Sequence, residues 1–172
     1  MTFLSRSTFF TDILTGLNDI RNEIYSYSKA ILTHRNGTYY EDLYLINGDT
    51  GKFLAKGTNA MEENIVSYSK KTDKLIKEMP NTIISIHNHG TNNPPTGSVL
   101  VSSGYRKYKL GIIACHNGDV FTYKAGELIF RAEQFGSKVD KFKEQGYNEN
   151  DSIIKTLEIF ERDYNVSWEK IE

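Results

Sequence analysis

The segment that most constrains this chain is an apolar run, Thr82-Ile83-Ile84-Ser85-Ile86. It passes without a break into His87-Asn88-His89 and then into a loop carrying Pro94-Pro95. The run reads as a strand bounded by turn residues. Two histidines one residue apart at a strand end can turn both imidazoles toward one cation. That is a common source of two of the three protein ligands of a catalytic zinc. His87 and His89 are the first candidate metal ligands.

Periodicity places the rest of the chain around this strand. Residues 11–33 carry Ile13, Leu14, Leu17, Ile20, Ile24, Tyr27, Ile31 and Leu32 at helical spacing. Thr8 or Thr11 is the expected cap and Asn36-Gly37 the stop. Residues 40–46 alternate as a strand, and Asn47-Gly48-Asp49-Thr50-Gly51 turns it back into Lys52-Phe53-Leu54-Ala55, a hairpin. Residues 62–78 predict a second helix burying Ile65, Val66, Leu75 and Ile76, and residues 99–108 a short one. Residues 110–114 and 120–123 flank His116-Asn117-Gly118-Asp119, a type I′ hairpin signal. Residues 137–168 predict two helical pieces broken at Gly146. Asn150 or Asp151 would cap the second, which would bury Ile153, Ile154, Leu157, Phe160 and Tyr164. This order predicts an α+β fold, an α/β sandwich. We expect one globular unit made of an N-terminal helix (1–36), a core (37–130) and a C-terminal helical extension (131–172).

Composition narrows the function. A length of 172 residues suits one domain, and 38% hydrophobic residues with 11 Tyr and 9 Phe suffice for a core. A net charge of −1 gives no global field toward nucleic acid or anionic lipid. The local cluster Tyr105-Arg106-Lys107-Tyr108-Lys109 reads as a solvated loop or helix end, with a phosphate backbone or acidic partner as the alternative. A single cysteine, Cys115, excludes a disulfide framework and points to a reducing compartment. The first ten residues lack a signal peptide's charged start and apolar stretch, and no run approaches the ~20 residues that span a bilayer. These features predict a soluble, cytoplasmic protein.

A water-activating zinc site also needs a third ligand, an open position and a carboxylate to shuttle the proton. Glu41 heads the strand Leu43-Tyr44-Leu45-Ile46 and is placed for that shuttle if the strand pairs beside the one ending at Ile86. His34 could lie beside the same pocket, although a helix C-terminus is an ordinary place for histidine.

Taken in order, these stretches resemble the JAB/MPN domain, the fold of JAMM-type zinc isopeptidases and deubiquitinases. Its pattern is a Glu before a strand, His-x-His-Pro at a later strand end, a loop, and Ser-x-x-Asp at the start of a helix. More narrowly, three stretches are similar to JAB-like domains of phage minor head or capsid-associated proteins. They are His34-Arg35-Asn36-Gly37 leading to Glu41-Asp42-Leu43-Tyr44, then His87-Asn88-His89, then Pro94-Pro95-Thr96-Gly97-Ser98 with Gly104-Tyr105-Arg106-Lys107-Tyr108. The resemblance implies a cytidine-deaminase-like mixed sheet flanked by helices. It also implies His87 and His89 as zinc ligands, Glu41 as general base (with Asp42 as a register alternative) and Thr96 at the position of the Ser that steadies the tetrahedral intermediate. The Asp position falls on Val99, or on Leu100 with a slip of one residue.

Neither can bind zinc, and no Asp or Glu occurs from Gly90 through Gly118. Cys115 and His116 are the substitutes to consider, against the plainer reading of a buried Cys beside an exposed hairpin His. Gly90 stands where the pattern has Pro, which predicts a more mobile loop. The expectation is a degenerate zinc site, with zinc weak or absent. The protein would then act in phage head assembly or protein binding, in the host cytoplasm or on the virion, with little or no peptidase activity. The alternative is an active zinc peptidase or isopeptidase using Glu41, His87, His89 and Thr96. A nucleic-acid accessory role through residues 105–109 is a third reading.

Overall fold

The computed structural model describes residues 20–66 and 68–171. The expected helix start near Thr8 or Thr11, with Ile13, Leu14 and Leu17, lies outside the described residues. In chain order the elements are α1 (Arg21–His34), β1 (Leu43–Asn47), β2 (Phe53–Gly57), α2 (Lys70–Glu78), β3 (Ile83–His89), α3 (Gly97–Arg106), β4 (Leu110–Cys115), β5 (Val120–Lys124), α4 (Ala132–Glu144), α5 (Glu149–Tyr164) and β6 (Ser167–Ile171). The strands form one mixed sheet in the order β2-β1-β3-β4-β5-β6.

The apolar run is the middle of that sheet. Every residue of β3 is buried, as a strand covered on both faces requires. It pairs antiparallel with β1, Leu43 opposite His87, and parallel with β4, His89 opposite Cys115. Because side chains alternate along a strand, β3 divides its residues between two cores. Ile84 and Ile86 pack with Ile46, Ile112 and Val120 against Ile24 and Ile31 of α1. Ile83 faces the other way, with Leu43, Leu45 and Ile76 of α2. On that second face Ile113, Cys115, Phe121 and Tyr123 meet Leu100 of α3, Phe135 and Val139 of α4, and Ile153, Leu157 and Phe160 of α5. The mixed α+β architecture expected from the sequence is the one observed: a six-stranded sheet with helices on both faces.

Several local expectations differ from the structure. The second helix starts at Lys70, not residue 62, because the Ser69 hydroxyl accepts from Thr72 N–H and caps it there. Residues 61–65 are exposed, and Ile65 is half-exposed rather than buried in a helix. The tail helices begin earlier, at Ala132, and the second is capped by Asn148, whose side chain accepts from Asp151 N–H, not by Asn150 or Asp151. That helix stops at Asn165, which adopts a left-handed conformation, so Trp168 lies in β6 instead of a helix. In the hairpin between β4 and β5 only Gly118 has positive φ, whereas a type I′ turn needs two such residues.

Two glycines shape the site by absence of a side chain. A Cβ on Gly90 would stand 2.6 Å from Tyr39 Cα, so this residue permits a close backbone approach that Pro would prevent. A Cβ on Gly111 would fall within the Tyr123 ring, which lies across β4 opposite it and reaches Ser85 on β3. Among the described residues no helix is long and apolar enough to cross a membrane.

Candidate metal centre

Strand alternation brings the candidate ligands together. His87 and His89 are two residues apart on β3 and share the face that looks toward α2 and α3. Continuing the β1/β3 register past Leu43 and His87 sets Glu41 opposite His89, on that same face. The side-chain ligand atoms of Glu41, His87 and His89 all lie within 4.8 Å of one another, and all three residues are buried. Cys115 and His116 are not part of this group. Burial pushes the Cys115 thiol well up, so it stays protonated.

The histidine pair has a defined proton arrangement. His89 Nδ1 lies 2.8 Å from the Asn93 carbonyl oxygen, which can only accept, so Nδ1 carries the proton and Nε2 presents its lone pair. His87 Nε2 stands 3.2 Å from His89 Nε2 and donates to it. Burial, with the neighbouring His89, holds His87 well below the ordinary imidazole range. Burial takes His89 down to about 4 against the opposing Asn93 bond. Both rings are neutral at pH 7, the form that binds metals. Glu41 goes the other way: burial pushes its carboxyl up to about 8.

The donor set fits zinc. With Zn–N bonds of about 2.0–2.1 Å, two nitrogens of a tetrahedral site stand about 3.3 Å apart. The imidazole nitrogens are 3.2 Å apart, and the Asn93 carbonyl fixes the His89 tautomer as partners of ligating histidines do.

The opposite faces of the same strands hold this group in place. Asn88, between the two histidines, points away from them. Its Oδ1 accepts from Asp42 N–H at 2.8 Å and its Nδ2 donates to the Tyr40 carbonyl at 3.1 Å. Asp42 is fully buried and receives His34 Nδ1 at 2.6 Å and Arg35 Nε at 2.5 Å from the end of α1. Arg35 is further anchored on the Thr58 carbonyl. Glu41 and Asp42 therefore face opposite sides, and the former has the histidines. Asp42, the register alternative to Glu41, thus serves the other face, and His34 pairs with it there instead of lying beside the cavity. The sequence alone assigns Asn88 no role, although its position between two same-face residues is the signal that it faces the other way.

No family model matches the chain, and no curated protein matches it in sequence. The site must be read from its own geometry.

A cavity of about 230 Å³ opens beside His87 and Glu41, with Ser98, Val99 and Ser102 of α3 on its wall. Val99 thus faces the site, while Leu100 is fully buried in the core against α4 and α5. Thr96 is the N-cap residue of α3 and does not line the cavity. Its hydroxyl lies 3.0 Å from the Ser98 hydroxyl, and the latter is the one on the wall. Tyr68, Tyr108 and Tyr123 close the cavity with their rings and hydroxyls. Among the described residues that line it, Glu41 is the one carboxylic acid and His87 the one imidazole.

The basic cluster at residues 105–109 is largely occupied. Arg106 donates to Asp73 at 2.7 Å and stacks over the Tyr68 ring, Tyr108 is buried, and Lys109 reaches Asp49. Tyr105 is exposed and Lys107 is the left-handed residue that ends α3.

Proposed function

We propose that this chain is a JAB/MPN-type module with a reduced metal centre that binds a protein partner, in the manner of phage head-assembly proteins, and has little or no peptidase activity. The observation that carries this reading is the meeting of buried Glu41, His87 and His89 beneath a helix that presents Val99 where a carboxylate ligand is expected. Two neutral imidazoles supply the start of a zinc site but not a complete one. The phage context rests on the similarity of the three sequence stretches named above.

The alternative, a working zinc peptidase or isopeptidase, draws support from the cavity beside Glu41 and His87. Zinc held by His87 and His89 would supply Lewis acidity there. Glu41 would accept a proton from water, and a hydroxyl from α3, Ser98 by position rather than Thr96, would face the substrate oxygen.

Zinc titration and hydrolysis of peptide and isopeptide substrates by wild type and Val99→Asp separate the two. We expect wild type to bind zinc weakly and hydrolyse nothing. Val99→Asp should bind zinc more tightly by about tenfold or more, since it adds an anionic ligand. Hydrolysis by wild type that is lost on His89→Ala would establish the peptidase instead. Unchanged affinity in Val99→Asp would show that α3 does not stand at the ligand position.

A further inference from the structure

We infer that Glu41 is itself a metal ligand in this chain, so that the centre is a His87–His89–Glu41 site with no general base. The inference rests on the metal-site reading above and departs from the role of proton shuttle that the family resemblance gives this residue.

Three observations lead there. First, the three donors already cluster. The imidazole nitrogens are spaced as the edge of a zinc tetrahedron, and the Glu41 carboxylate lies within 4.8 Å of both. A shift of about 1.5 Å completes a three-ligand site at ordinary bond lengths.

Second, the charge count requires it. A divalent cation between two neutral imidazoles in a buried pocket meets one carboxyl group among the described residues lining the cavity, that of Glu41, which becomes the anion by releasing its proton when the metal binds. Val99 occupies the wall position from which a second carboxylate would come. Attraction scales inversely with distance, so a carboxylate at about 2 Å gains about twice what it would gain at about 4 Å, across a water molecule. With another carboxylate on the metal that difference would be partly neutralised; here it is not.

Third, nothing holds Glu41 back. An outer carboxylate is normally fixed by hydrogen bonds of its own. The Glu41 side chain makes none among the described residues, and only its backbone neighbours are tied, through Asn88 to Asp42 and Tyr40. The carboxylate is free to swing onto the cation.

The outcome is a centre that binds metal yet lacks a proton acceptor. Among the described residues, the other polar side chains on the cavity wall are the Asn64 amide and the hydroxyls of Ser85, Ser98, Ser102 and the tyrosines, none of them a base near neutrality. Loss of the α3 carboxylate would then silence the site by recruiting its base into the coordination sphere, and not by emptying it.

The test uses zinc and cobalt(II) alone, with no substrate. Wild type, Glu41→Gln, Val99→Asp/Glu41→Gln and His87→Ala/His89→Ala are compared by competition with a chromophoric chelator and by the visible spectrum of the cobalt form. Glutamine keeps the shape of a side chain that burial already favours in its neutral form, so Glu41→Gln should fold as wild type does, checked by thermal melting. We expect Glu41→Gln to bind zinc about 100-fold more weakly and to alter the cobalt spectrum. The double variant with Asp at position 99 should recover most of the affinity. A cobalt spectrum unchanged in Glu41→Gln would place Glu41 outside the coordination sphere and overturn the inference, while leaving the histidine site intact. If wild type binds zinc no better than His87→Ala/His89→Ala, the metal-site reading itself fails, and the inference with it.

Discussion

The Glu41 carboxyl group makes no hydrogen bond among the described residues, and burial alone raises its pKa from 4.5 to about 8. The folded metal-free protein therefore holds a proton there that the unfolded chain releases. Stability from this residue is complete below pH 4.5 and is lost as pH rises toward 8. His89 acts in the other direction: its pKa falls from 6.5 to about 4, so stability is lost as pH drops through that window. His87 is lowered too and adds to the acid side. The site's contribution should peak near pH 6.5. Above it, urea midpoints measured with a chelator present should fall by the equivalent of about 2 kcal/mol up to pH 8. That decline should vanish in Glu41→Gln, and a wild-type profile flat from pH 6.5 to 8 would show Glu41 to be ionised in the folded state.

Among the elements, β3 joins the two faces of the sheet at one point. His87 and His89 look toward α3 while Asn88 stitches residues 40–42 to the strand end from behind. Asn88→Ala leaves the buried Asp42 N–H without an acceptor, which should cost about 1–3 kcal/mol in equilibrium unfolding. It should also weaken zinc binding, because the backbone on both sides of Glu41 loses its tie. Wild-type affinity in that variant would mean the β1 ladder alone positions Glu41. Elements whose signals are local were readable in advance: the Asn47 to Gly51 turn, the apolar run of β3, and the spacing of two that turns both histidines one way. The start of α2 was misplaced because Ile65 and Val66 continue an apolar pattern, while the Ser69 cap is a single hydroxyl. β6 was missed because Trp168 follows a strongly periodic helix, and only the left-handed Asn165 marks the break. Asn88 and Ser98 could not be assigned roles from sequence, since their partners or cavity are set by tertiary contacts, 46 residues away for Asn88 and Asp42.

On the scale of the whole molecule, the largest core among the described residues lies on the site's face of the sheet, where α3, α4 and α5 share Leu100, Phe135, Leu157 and Phe160 with Phe121 and Tyr123. Leu157 is fully buried at its centre, so Leu157→Ala should cost about 2–5 kcal/mol by denaturant unfolding. A cost under about 1 kcal/mol would show that this layer is loosely packed. The parallel pair β3 and β4 has a further consequence. Two parallel strands joined over one face by a helix leave space between that helix and the sheet, and the cavity lies there, between Ser98, Val99 and Ser102 of α3 and Ser85 and His87 of β3. Here that space is a property of strand order, and the groups inside it are interchangeable furniture. Chemistry within it can be gained, lost or altered by single replacements on α3 or β1 while the opening that admits a visitor stays where the chain path put it.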